Sequence, residues 1–145
     1  MVKRTEMKVG DVMARDVEFI DGAASLQEAA EMMGELDVGA LPVGSSDLME
    51  GVVTDRDILY RYVAKGLAAN SVVTRDVMTS PVVSCDQDDT LRAAMDSMAA
   101  NHIRRMPACN ARGRVVGWIT LADLSRKLLV ESAALQNFMQ ELTES

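Results

Sequence analysis

The sequence predicts an α+β protein built from two copies of one strand-helix-strand-strand-helix unit, packed sheet to sheet about a pseudo-twofold axis. Three observations predict it. Residue patterns recur about 65 positions apart. Each copy carries a capped helix whose apolar residues share one face. Each copy then continues into two short strand-like stretches joined by turn residues.

The duplication is direct. Asp11-Val12-Met13 returns as Asp76-Val77-Met78, and at the same offset Val17, Asp21, Leu26, Ala29, Met33 and Pro42 meet Val82, Asp86, Leu91, Ala94, Met98 and Pro107. One extra residue in the second copy then aligns Gly51, Thr54 and Asp57 with Gly117, Thr120 and Asp123. A single gap keeps both halves in step, so the chain divides into repeats at 9–66 and 74–130, followed by a tail at 131–145.

Each element has a local cause. Ser25 reads as an N-cap with Glu28 three residues on, a capping box, and Leu26, Ala29, Ala30 and Met33 follow on one helical face. Thr90 plays the same part before Leu91, Ala94, Met95 and Met98. A strand is expected to end at Leu41-Pro42-Val43 and at Met106-Pro107-Ala108. Gly44-Ser45-Ser46-Asp47 and Asn110-Ala111-Arg112-Gly113 supply the turns. Gly51-Val52-Val53-Thr54 and Val115–Thr120 form the next strands, and a helix begins just after Thr54 and after Thr120. Ahead of the first helices, Val17–Ile20 and Val82–Cys85 are each read as a strand. Ser132–Met139 reads as an added helix, suited to capping the pair or to a dimer interface.

Composition narrows the function. Of 145 residues 48% are apolar and 3% aromatic, so Met, Val, Leu and Ala must fill the core. No apolar run approaches the ~18 residues of a membrane span. The charged start Met1-Val2-Lys3-Arg4-Thr5-Glu6 gives no secretory leader, and a cytoplasmic protein is expected. The net charge of −7 disfavours a nucleic-acid surface, which needs surplus Lys and Arg. Cys85, Cys109 and His102 read as two buried thiols and one surface imidazole, so neither a metal site nor a disulfide framework is expected. No nucleophile–base set stands out, and no enzyme activity is expected.

The informative motif is Gly, two strand residues, Thr, two residues, Asp and an apolar residue. It occurs as Gly51–Ile58 and again as Gly117–Leu124. Thr-x-x-Asp at a helix start is a capping box and needs no ligand. Its duplication behind a strand glycine points further. A strand entering a helix N-terminus presents backbone N–H groups and a positive dipole end to a phosphate. The Asp lies about 4.5 Å further along the helix, within reach of a ribose whose vicinal hydroxyls a carboxylate accepts.

The duplicated unit, the Asp-Val-Met lead-in, the Leu-Pro-Val strand end and this motif together resemble the CBS (cystathionine-β-synthase) domain pair, or Bateman module, in its stand-alone prokaryotic form. The resemblance runs from about Val9 to Leu129. It implies a regulatory sensor of AMP, ADP or ATP that needs no cofactor, works as a homodimer of modules, and acts on another protein in trans. S-adenosylmethionine is an alternative ligand, and a docking module without nucleotide an alternative role. By the same resemblance Asp57 and Asp123 hold the riboses, Thr54 and Thr120 meet phosphate or ribose, and Val17 and Pro81-Val82 line the adenine slots. Arg104 and Arg105, opposite Gly39 and Ala40 of the first copy, are implied phosphate ligands serving the Asp57 site across the axis. Arg56 would reach the Asp123 site.

Overall fold

The computed structural model describes residues 6–68 and 70–144. The first repeat comprises α1 (Val9–Val12), α2 (Leu26–Leu36), β1 (Ala40–Gly44), β2 (Met49–Thr54) and α3 (Asp55–Ile58), which widens into a π-helical turn at Leu59–Val63. The second comprises α4 (Thr74–Val77), β3 (Cys85–Asp86), α5 (Leu91–Asn101), β4 (Arg105–Cys109), β5 (Val115–Thr120) and α6 (Leu121–Glu144). This is an α+β fold of tandem repeats with two sheets, β1-β2 and β3-β4-β5.

The capped helices form as the residues dictate. The Ser25 hydroxyl accepts from the Glu28 N–H at 3.1 Å, and the Glu28 carboxylate accepts from the Ser25 N–H at 3.3 Å. Thr90 accepts from the Ala93 N–H at 3.1 Å. Leu26, Ala29 and Met33 are buried on α2, and Leu91, Ala94 and Met98 on α5. Both helices end on a left-handed residue, Asp37 and His102. In both hairpins the strands pair antiparallel, Leu41 opposite Val53 and Met106 opposite Ile119.

The lead-ins cross over. Val9 and Met13, from the start of the chain, are buried with Leu91, Met98, Met106, Ile119 and Leu124 of the second repeat. Val77 is buried with Leu26, Leu41 and Val53 of the first. Ala14 exchanges two backbone hydrogen bonds with Trp118, both at 2.9 Å, and Thr79 exchanges two with Val52, at 2.8 and 3.0 Å. Thr74 is fully buried, and its hydroxyl donates to the Ala24 carbonyl at 2.8 Å. Each hydrophobic cluster therefore borrows its lead-in from the other copy, which ties two small repeats into one unit.

This exchange explains the motif glycines. A Cβ on Gly51 would sit 2.7 Å from both Met78 Sδ and the Thr79 carbonyl oxygen. On Gly117 it would collide with Met13 Sδ and lie 3.0 Å from the Ala14 carbonyl oxygen. The glycines admit the crossing lead-in, and no phosphate is needed to account for them. Gly51→Ala and Gly117→Ala are each expected to cost about 1–3 kcal/mol through overpacking. Urea denaturation measures this, and an unchanged midpoint would mean that the lead-in can shift without loss.

Two expected elements differ. The strand read at Val17–Ile20 shrinks to a single bridge between Ile20 and Val43, and that read at Val82–Cys85 becomes β3, one residue beyond it. The Val17 N–H is spent on the Arg15 carbonyl two residues back, and Pro81 has no N–H to offer a ladder. The helix expected to be added after about Glu131 is instead the continuation of α6. No Gly or Pro interrupts Leu121–Glu144, and Leu, Ala, Glu and Gln carry the helix on.

Candidate functional site

The two copies of the motif fold alike and end in different states. In the first, the Thr54 hydroxyl accepts from the Asp57 N–H and the Asp57 carboxylate accepts from the Thr54 N–H, each at 3.0 Å. The same carboxylate accepts from the Thr79 hydroxyl at 3.2 Å and lies 3.7 Å from Arg61 Nε. Arg61 in turn donates to the Val77 and Met78 carbonyls. Asp57 is 8% exposed, and its carboxylate accepts from two donors of the protein itself.

In the second copy the Thr120 hydroxyl accepts from the Asp123 N–H at 3.1 Å. The Asp123 side chain is 43% exposed, with Arg126 3.7 Å away on the same helix. The difference follows from one lead-in position. At the repeat offset the counterpart of Thr79 is Ala14, which has no hydroxyl to give Asp123.

Asp123 opens onto a cavity of about 1080 Å³, at the upper end of small-molecule sites. One wall is the crossing lead-in, Ala14, Asp16, Val17 and Glu18; another is the end of α2 with β1, from Leu36 to Pro42. The second repeat contributes Arg104, Arg105, Trp118, Thr120 and Asp123. Val17 and Trp118 offer apolar surface for a flat ring. Thr120 and Asp123 stand at the N-terminus of a long helix, and the two arginines supply positive charge.

Of the residues singled out from sequence, the fold thus gathers Val17, Arg104, Arg105, Thr120 and Asp123. Arg104 and Arg105 line the Asp123 cavity, where the resemblance implied service to Asp57. Gly39 lies beside Arg105: a Cβ added there would sit in ordinary contact with Arg105 Nη1 at 3.7 Å and closer, at 3.1 Å, to Asp55 Oδ2. Arg56 does not reach this cavity; its guanidinium lies 5.7 Å from the Tyr60 ring centre, a cation–π distance. Thr54 and Asp57 are engaged with each other. Pro81 and Val82 lie beyond Thr79, outside this lining. Sequence reasoning passed over Asp16, Glu18 and Asp37, which carry no motif, and took Trp118 only as a strand residue of the second motif copy. They become visible only once the lead-in is known to cross to the other repeat.

Among the described residues no three His, Cys, Asp or Glu side chains gather as a metal-ligand set. Burial, with Asp89 and Cys109 nearby, pushes the Cys85 thiol up to about 12, so it stays protonated and unreactive near neutral pH. No helix among the described residues is long and apolar enough to cross a membrane.

Comparison with known proteins agrees with this architecture. The CBS domain family model matches residues 9–64 and 73–130. The CBS domain-containing protein YhcV of Bacillus subtilis is 35% identical over 117 residues, covering 81% of this chain and 82% of its own. Hypoxic response protein 1 of Mycobacterium tuberculosis is 32% identical over 119 residues, with coverage of 81% and 82%. A crystal structure of Hypoxic Response Protein I with two coordinated zinc ions superposes with a TM-score of 0.72 at 30% identity, over 83% of this chain and 98% of that one. With two matched segments joined by exchanged lead-ins, the chain belongs to the CBS domain family and carries its repeats as a tandem pair.

Proposed function

We propose that this protein is a regulatory module that binds one adenosine nucleotide, AMP, ADP or ATP, in the Asp123 cavity and catalyses nothing itself. The observation that carries the reading is the half-exposed Asp123 carboxylate, set beside Thr120 in a cavity that also holds two arginines. The carboxylate suits ribose hydroxyls, Val17 and Trp118 suit a base, and Arg104 and Arg105 suit phosphate. His102, Cys85 and Cys109 all lie outside the lining, which leaves the cavity without the usual nucleophile–base pair. The module works in the cytoplasm as a homodimer and passes its ligand state to another protein.

One observation favours S-adenosylmethionine as the second reading. Asp16, Glu18, Asp37 and Asp123 outnumber the two arginines around the cavity, and a sulfonium cation would be attracted where a polyphosphate is repelled. Calorimetry and thermal melting with AMP, ADP, ATP, S-adenosylmethionine and NAD separate the readings. A micromolar nucleotide corresponds to about −8 kcal/mol and, at a hundredfold excess over Kd, adds about 2.7 kcal/mol of stability. If millimolar nucleotide gives neither heat nor a melting shift, the nucleotide reading fails. A response to S-adenosylmethionine alone selects the second.

A further inference from the structure

We propose that the exposed stretch of α6 from Lys127 to Glu141 pairs antiparallel with the same segment of a second copy of this chain. Early in α6 the apolar row is satisfied: Leu124 is fully buried, and Leu121 and Leu128 pack partly against the second repeat's core. From Leu129 to Leu142 every side chain described is exposed. Val130, at 59%, and Phe138, at 57%, lie on one face with Ala134 between them. A short helix in water gains little from its own hydrogen bonds, and an apolar surface of this kind marks an interaction site. The family match ends at residue 130, so Ala134, Phe138 and Glu141 lie beyond it, and the inference does not rest on the nucleotide reading.

The arrangement of residues identifies the occupant. Lys127 and Glu141 are exposed and fourteen positions apart. That is about four helical turns, which puts them along one edge of α6. An antiparallel twofold at their midpoint, Ala134, brings Lys127 of each copy to Glu141 of the other. It also brings Phe138 of one copy level with Val130 of the other. Parallel pairing would instead set Lys127 against Lys127 and Glu141 against Glu141. The small side chain of Ala134 falls at the crossing and allows close approach of the helices. Exposed ion pairs add little affinity, so they choose the direction while the apolar side chains supply the binding. Two helix segments about 20 Å long bury less than a standard interface of roughly 800 Å² per partner, so the association is concentration-dependent.

Sedimentation equilibrium of the full chain, without nucleotide, from low micromolar to millimolar concentration tests this. The wild type is expected to dimerise across that range. Phe138→Glu is expected to weaken the dimer at least tenfold with an unchanged melting temperature for the monomer. Lys127→Glu and Glu141→Lys should each weaken it several-fold, and the double swap should restore it. A chain that stays monomeric throughout overturns the proposal, as does a dimer indifferent to Phe138→Glu. A double swap weaker than either single change overturns the antiparallel direction. Because ligand is absent, none of these outcomes depends on whether the cavity binds nucleotide.

Discussion

Asp123→Ala is expected to remove ligand binding, while Asp57→Ala keeps the ligand and loses stability instead. The two aspartates occupy matching places in the repeats, and from sequence they would be expected to do matching work. Asp57 is buried and holds the Thr54 N–H, the Thr79 hydroxyl and Arg61. Its removal breaks the return bond of the capping box to the Thr54 N–H, about 1 kcal/mol, and leaves the part-buried Thr79 hydroxyl without its acceptor, for a total of roughly 2–4 kcal/mol. At roughly 2–4 °C per kcal/mol for a chain of this size, the melting temperature should drop by about 4–16 °C. Asp123 is half-exposed, and its carboxylate is not tied back to the Thr120 N–H by any bond of the kind Asp57 makes. Losing its hydrogen bonds to ribose costs about 1.5–3 kcal/mol of binding, a fall in affinity of roughly ten- to a hundredfold, with little change in the unliganded melt. Titration calorimetry should accordingly count one nucleotide per chain. Two equivalent sites, or a loss of binding in Asp57→Ala equal to that in Asp123→Ala, would refute the distinction. Thr79→Val offers an independent check, since it unties Asp57 without touching the Asp123 cavity.

Much of this fold could be read from residue types. The repeat offset, the caps at Ser25 and Thr90, the buried faces of α2 and α5, and the hairpins around Gly44 and Gly113 are all local matters, set within a few residues. What sequence reasoning missed is long-range. The role of Gly51 and Gly117 depends on Met78 and Met13 arriving from the opposite copy, and nothing near either glycine announces that. The Ala14–Thr79 difference was visible in the alignment of the repeats. It acquires meaning only when each lead-in is known to lie against the other repeat's Asp. Arg104 and Arg105 line the cavity onto which Asp123 opens, a placement that no motif around them announces. The length of α6 was misjudged for a simpler reason: a family pattern ends near residue 130, but a helix ends only where its own residues stop it.

Replacing Arg104 and Arg105 together by Met is expected to leave adenosine binding within about twofold and to weaken AMP by roughly tenfold or more, the equivalent of losing one charge-assisted hydrogen bond. Met retains the apolar stem and removes the guanidinium, so the comparison isolates charge from packing. Both arginines line the cavity that Asp123 opens onto. A 5′-phosphate extending from a ribose held at Asp123 meets them together with the N-terminus of α6. Each further phosphate should gain less than the first, because Asp16, Glu18 and Asp37 also border the cavity and repel added negative charge. The wild type should therefore prefer AMP to adenosine by more than it prefers ATP to AMP. Salt reports the sign of the balance. Where arginine attraction dominates, affinity falls as ionic strength rises, and where the acids dominate it rises, with burial moderating both. Titrations of wild type and double variant with adenosine, AMP and ATP at two salt concentrations decide the matter. An AMP-to-adenosine ratio that survives the loss of both arginines would place them at the solvent edge and leave the phosphate to the helix N-terminus alone. A variant that binds ATP better than the wild type would show that the acids act as the principal filter on phosphate number.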